Sequence, residues 1–329
     1  MLSQEKILNN LQNSSFYPHE TNKDIQMIET HISWVFLTGS YVYKMKKSLK
    51  FGDILDFSTI EKRFQACKDE LFYNKRLAPS IYLEIVQIND NLEFSTEGKP
   101  LEYLVKMKQL PQEDLLLNKV KNKEELSDVI FIKLAKIIAE FHKKNTIHPE
   151  FSLYENIFEK WDENFRTTKT YTDFPLDSDL ETRVFDFLEK NRNFFNERSN
   201  QGKIVEGHGD LILANIFYFK GEVIIFDCIE FNEMLRIQDI LEEVAFLSMD
   251  LDFHKLYDLS AFFMKEYLEG INSDFTSESP MINFYKSYRA YVRAKVYYSQ
   301  VLQVEPGEAR DKVVALSTKY MKLASSYDF

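Results

Sequence analysis

The chain has 329 residues, 44% hydrophobic content and a formal net charge of -11 at pH 7, enough apolar material for one large domain or two lobes. The negative balance and the lack of a long basic run argue against a nucleic-acid surface or an anionic membrane as partner, and suit a cationic small molecule. No apolar stretch reaches the roughly 18–20 residues that span a bilayer, the N-terminus has no signal-peptide pattern, and Cys67 and Cys228 have no companions in metal-ligand spacing, so a reducing, cytoplasmic setting is expected.

Residues 1–30 carry a short helical pattern (Ile7, Leu8, Leu11), a break at Pro18 and a second helical turn around 25–28. From Ile32 the pattern turns to HISWVFL, the turn TGS and YVYKMKK, a β-hairpin of aromatic and β-branched residues about Gly39. Alternation places Tyr41, Tyr43 and Met45 on one face of its second strand, with Val42, Lys44 and Lys46 on the other. Those lysines read either as a solvated edge or as phosphate ligands on a strand of the V-A-I-K kind.

Ser58-x-x-Glu61 reads as a capping box that opens a helix ending before Pro79, with Ile60, Phe64, Cys67 and Leu71 as its apolar stripe. Glu70 borders that stripe, with Glu61 and Asp69 as rival carboxylates. Strands are expected at 81–88, 92–94 and 101–107, and the segment 106–111 then leads into a second lobe. Beyond Pro111 the pattern is mostly helical. Ile130, Leu134, Ile137, Ile138 and Phe141 mark a helix in which His142 is a helix-end residue. Trp161 and Phe165 are anchors in a region, 150–200, that could cover a substrate. Ile240, Val244, Leu247 and Leu251 mark another helix, and two long helices at about 280–302 and 307–326 close the chain.

The most informative stretch is VEGHGDLILANIFYFKGEVIIFDCIEF, residues 205–231. Asp210 and Asn215 have the offset of the H-R-D-x-x-x-x-N loop of protein kinases, and Asp227 follows the apolar run 223–226 as a D-F-G aspartate follows its strand. Two carboxylates and an amide on one loop-strand-turn-strand unit suit phosphoryl transfer, which needs a group beside the acceptor hydroxyl and oxygen ligands for Mg²⁺.

His208-Gly-Asp-Leu-x-x-x-Asn-Ile216, the later Ile-Phe-Asp227 and Gln-Asp239-Ile resemble the aminoglycoside phosphotransferase and choline kinase-like superfamily, which has HGD where protein kinases have HRD. The segments THISWVFLTGSYVYKMKK, FGDILDFSTIEKR, EYLVKMKQLP and FDCIEFNEMLRIQDILEEVAFLSMDL resemble its bacterial "aminoglycoside phosphotransferase family enzymes". Together the matches cover roughly residues 30–255.

The resemblance implies an α+β, two-lobed protein-kinase-like fold. Residues 1–107 would be a nucleotide-binding lobe, a small antiparallel sheet plus helix with 1–30 as a helical extension. Residues 108–329 would be a larger, mainly helical catalytic and substrate-binding lobe. It implies a small-molecule kinase that uses ATP, or GTP, with Mg²⁺ and phosphorylates an alcohol acceptor such as an aminoglycoside, sugar or amino alcohol. Asp210 would be the catalytic base, with Asn215 beside it. Asn215 and Asp227 would hold the metal, and Lys44, fixed by Glu70, the phosphates, with Met107 at the nucleotide. Lys46 is an alternative to Lys44. His208 and Asp239 would brace the loop, and Glu230 could reach substrate or metal. Glu230, Glu233, Asp239, Glu242 and Glu243 make a cationic acceptor attractive, unless they lie on a solvated helix face.

Two departures stand out. There is no G-x-G-x-x-G or G-x-x-x-x-G-K-[ST], and Ile212 stands where a polar residue is expected. A nucleotide-binding pseudokinase is the competing class. A protein kinase is disfavoured by HGD and by the absence of an A-P-E segment after Asp227.

Overall fold

The computed structural model describes residues 4–52, 55–301 and 304–329, with the side chains of 275 and 276 left aside. In chain order the elements are α1 (Gln4–Leu11), β1 (Gln26–Glu29), β2 (Ser33–Leu37), β3 (Tyr41–Lys46), β4 (Lys50–Phe51), β5 (Leu55–Asp56), α2 (Ile60–Lys75), β6 (Tyr82–Asn89), β7 (Pro100–Lys108) and α3 (Leu116–Lys121). There follow α4 (Asp128–Lys144), β8 (Thr146–Ile147), α5 (Leu153–Lys169), α6 (Ser178–Lys190), α7 (Arg192–Asn200), β9 (Ile204–Glu206), β10 (Ile216–Phe219), β11 (Glu222–Ile225) and β12 (Ile237–Asp239). The chain closes with α8 (Ile240–Phe253), α9 (Tyr257–Gly270), α10 (Phe275–Val301) and α11 (Glu308–Ser326). Among the described residues, no helix is long and apolar enough to cross a membrane.

The chain divides into two compact units, Met1–Asn122 with Ala214–Leu235, and Lys123–Leu213 with Arg236–Phe329. The division thus falls at 122/123, where the sequence pattern pointed to 107/108, and 214–235 goes with the first unit. Phe217 of β10 accounts for this: it bridges Leu115 and packs in the apolar cluster of Val42, Val105 and Met107.

In the first unit, an antiparallel sheet of order β1-β2-β3-β7-β6 carries a helix on each face. Tyr43 and Met45 pack with Ile7, Leu11 and Tyr17 on the α1 side. Val42, one residue out of phase, packs with Cys67 of α2. The period of two therefore aims Lys44 and Lys46 at α2. The β10–β11 hairpin turns through Lys220 and Gly221, both at positive φ (52° and 82°), as a tight two-residue hairpin requires.

Several local expectations need correction. Residues 26–29 form an exposed edge strand, not a helical turn, because all four pair with β2, from Trp34 to Leu37. Residues 92–94 form no strand: Leu92 is left-handed (φ 60°), and Phe94 makes only an isolated bridge to Ile88. The cap of α2 is Thr59, whose hydroxyl accepts the Lys62 N–H. Ser58 instead turns onto Asp56, which takes both its N–H and its hydroxyl. The expected end of α10 at Leu302 lies outside the described residues.

The second unit is mainly helical. Trp161 of α5 is fully buried and stacks on Phe165, with the edges of Tyr288 and Tyr291 against it. The short sheet β12-β9-β8 delivers the chain into the 207–213 loop. Every residue of α8 is buried.

Candidate phosphoryl-transfer site

In the first unit, strand β3 and helix α2 bring two lysines to one carboxylate. Lys44 Nζ lies 2.9 Å from Glu70 Oε1 and 2.5 Å from Asp227 Oδ1. Lys46 Nζ lies 2.6 Å from Glu70 Oε2 and also pairs with Glu230. Neither lysine is a solvated edge. Lys47 is the surface one, paired to Glu29 and lying over the Trp34 ring.

Burial works against the charge on both lysines, yet Asp227 and Glu70 hold the Lys44 ammonium well above the ordinary range, and Glu230 and Glu70 raise Lys46. Glu70 is desolvated as well, but the two ammonium groups bring its carboxyl below the usual value. At Glu230 burial wins against Lys46 and pushes the carboxyl up. Glu61 caps the first turn of α2, and Asp69 bonds Gln65 on the surface, so of the three carboxylates considered on this helix it is Glu70 that meets the lysines.

The turn after β11 is held as firmly. Asp227 sits at φ 64°, a left-handed conformation that aspartate tolerates better than most residues. Its N–H donates to the Tyr82 hydroxyl (3.1 Å), and the next N–H, of Cys228, donates to Asn74 Oδ1 (2.8 Å). The Phe226 N–H reaches the Asn215 carbonyl at 3.0 Å, joining the stretches that carry Asn215 and Asp227. Asn215 is buried, and the Asp227 side chain is 41% exposed. Met107 is buried opposite Val42 in the apolar cluster beside β3. Cys67 and Cys228 are both free and buried.

Among the described residues no group of three or more His, Cys, Asp and Glu side chains could hold a metal. Asn215 and Asp227 do carry hard oxygen donors, on stretches joined through the Phe226 N–H. That fits Mg²⁺, which keeps several waters and is bound through one or two carboxylates plus substrate phosphates.

In the second unit the 207–213 loop is clasped by α8. Glu243 accepts the His208 N–H (2.8 Å) and the Gly209 N–H (3.3 Å). Gln238 donates to the same carboxylate. Asp250 Oδ2 accepts the Leu213 N–H at 2.9 Å. A β-carbon at Gly207 would meet Glu243 Oε2, so any side chain there must push that carboxylate aside. His208 Nδ1 accepts the Asp210 N–H at 3.2 Å. His208 is buried, whereas Asp210 is only partly so. Ile212 is buried.

Burial pushes up the carboxyls of both Glu243 and Asp250, against the pull of His208 and of the Leu213 N–H respectively. Among the described residues Asp239, in contrast, makes no hydrogen bond to this loop. It caps α8 through the Leu241 N–H and forms a two-point ion pair with Arg198.

The acidic residues after Asp227 are mostly committed internally. Glu230 pairs with Lys46, Asp239 with Arg198, and Glu242 with Arg289 and Lys160, while Glu243 clasps the loop. Glu233 is exposed. The sequence left them open between facing a cationic acceptor and lying on a solvated helix face. The one available signal was their position within the apolar run of α8, where a charge must find a partner.

No protein-family model matches the chain. Uncharacterized proteins of Mycobacterium tuberculosis and Mycobacterium bovis are each 31% identical to it over 310 residues, 92% of this chain. The chain spans 60% of the length of these curated relatives. Among solved structures it is similar to a choline/ethanolamine kinase family protein from Mesorhizobium loti, with TM-score 0.58, 13% identity, and 99% and 95% of the two chains covered. It is also similar to amicoumacin kinase in complex with AMP-PNP, Ca²⁺ and Ami (TM-score 0.57, 12% identity, 99% and 98% covered). The GDP complex of an aminoglycoside phosphotransferase matches at TM-score 0.56 and 13% identity, with 98% and 97% covered. With its small N-terminal antiparallel sheet and its mainly helical C-terminal part, the chain has the fold of these choline kinase and aminoglycoside phosphotransferase structures.

Proposed function

We propose that the chain transfers the terminal phosphoryl group of ATP to a hydroxyl of a small molecule. The observation that carries this reading is Lys44, whose ammonium bridges Glu70 and Asp227 at 2.9 and 2.5 Å. A helix-anchored lysine beside a metal-binding carboxylate is the arrangement that phosphate binding in kinases calls for. The AMP-PNP and GDP bound by two of the similar structures support a nucleotide as ligand.

Each residue then has a role. Asn215 and Asp227 hold Mg²⁺, which when bound neutralises charge on the transferring phosphates. Lys44 leaves Asp227 for the phosphates while Glu70 keeps it oriented. Asp210, partly exposed in a loop otherwise fixed by Glu243 and Asp250, accepts the proton of the acceptor hydroxyl. Since four of the five acidic residues after Asp227 have partners within the chain, the acceptor need not be cationic.

Thermal unfolding with ATP and Mg²⁺ tests the reading. A ligand specific for the folded state adds about 2.7 kcal/mol at a hundredfold excess over its Kd. A metal-dependent rise in midpoint that Asp227→Ala abolishes supports the nucleotide site, and labelled ATP then finds the acceptor. Absence of any shift with ATP or GTP would reject it.

A further inference from the structure

A kinase-type strand uses one lysine against one helix carboxylate; here a second lysine reaches the same carboxylate. Lys46 is fully buried, and a buried ammonium is costly unless it is paired. Glu70 divides its two oxygens, Oε1 to Lys44 and Oε2 to Lys46. Apart from these two ammonium groups, no hydrogen-bond donor among the described residues reaches that carboxylate. Lys46 then passes to Glu230.

The five side chains thus form a series, Asp227–Lys44–Glu70–Lys46–Glu230, and the series closes on itself because Asp227 and Glu230 are three residues apart. Its ends differ in access. The Asp227 side chain is 41% exposed, while Lys46 and Glu70 are sealed and Glu230 nearly so. A phosphate or a cation can therefore compete for the Lys44–Asp227 contact but cannot reach the Lys46 end. Without Lys46, one oxygen of Glu70 and the carboxylate of Glu230 would both turn to Lys44, drawing its ammonium inward.

We propose that Lys46 and Glu230 are a positioning pair: they hold Glu70 and the turn after Asp227 in place, so that Lys44 alone is free to exchange Asp227 for a nucleotide phosphate. This rests on the phosphotransferase reading and adds to it a fixed lysine beside an exchangeable one.

The test is calorimetric binding of ATP with Mg²⁺ to the full chain, run well below each protein's unfolding midpoint. Lys46→Met alone removes the ammonium that two buried carboxylates share and should unfold more easily. Adding Glu230→Gln removes one of those charges and should recover part of the loss. The folded double variant should still bind ATP at least tenfold more weakly than wild type, whereas a merely structural pair would leave affinity within twofold, and that result overturns the proposal. If the double variant does not fold, Glu230→Gln alone decides, since Lys46 still holds Glu70: a several-fold loss supports the pair and unchanged affinity rejects it. Failure of the wild type to bind ATP or GTP would reject the phosphotransferase reading and this inference together, and it would be seen before any variant is made.

Discussion

Asn74 accepts the Cys228 N–H at 2.8 Å one helical turn beyond Glu70, whose carbonyl in turn receives the Asn74 amide at 2.9 Å. A single face of α2 therefore holds both the carboxylate that pairs with the lysines and the backbone next to Asp227. Asn74→Ala leaves the buried Cys228 N–H without its acceptor, a loss of about 1–3 kcal/mol. The turn that presents Asp227 loosens as well. Urea unfolding should show the lower stability. The ATP- and Mg²⁺-dependent rise in midpoint should shrink, and an undiminished rise would show that the turn holds its shape without Asn74.

Asp210 is the partly exposed carboxylate of a loop whose backbone is pinned at His208, Gly209 and Leu213. Asp210→Asn keeps its size and its N–H bond to His208 but cannot accept a proton. General-base catalysis contributes roughly 10²–10⁴-fold. Turnover should fall by that order while ATP affinity stays within a few-fold. Turnover within a few-fold of wild type would remove Asp210 as the base.

Gly207 tests the clasp itself. In Gly207→Ala the new methyl must displace the Glu243 carboxylate, which holds the His208 and Gly209 N–H groups. Overpacking of this kind typically costs about 1–3 kcal/mol, and it also frees the loop that carries Asp210. Stability and turnover should fall together. Glu243→Gln, which removes the charge but not the shape, should disturb the loop less than Gly207→Ala does.

What could be read from the sequence was whatever is local in the chain. The β2–β3 hairpin showed in its alternation, and the Asp210, Asn215 and Asp227 set in its spacing. The face shared by Lys44 and Lys46 followed from a period of two. Glu70 was named as the carboxylate that fixes Lys44, but the partners Asp227 and Glu230 did not follow, because they lie 183 and 184 positions further along. Glu243 was missed for a different reason. A helix with charges among apolar residues reads as amphipathic, whereas α8 is buried on every side and its charges are used internally. Residues 25–28 were misread because so short an apolar pattern fits a helix or a strand, and only pairing with β2 decides between them.

His142 gives a prediction in pH. Its ring, near the end of α4, is buried, and Nδ1 lies 2.7 Å from the Tyr267 hydroxyl. Burial pushes its pKa down from 6.5 to about 3, so the folded chain holds it neutral where the unfolded chain would protonate it. Stability from this site is complete above about pH 6.5 and is lost progressively as pH falls toward 3, by roughly 1.4 kcal/mol per pH unit in that window. His142→Gln can still meet the Tyr267 hydroxyl but takes up no proton. Between pH 6.5 and 5, where few carboxylates titrate, unfolding free energy should decline more steeply for wild type than for the variant. Parallel declines would mean that the ring is protonated in the folded protein and that Tyr267 accepts its proton in a hydrogen bond.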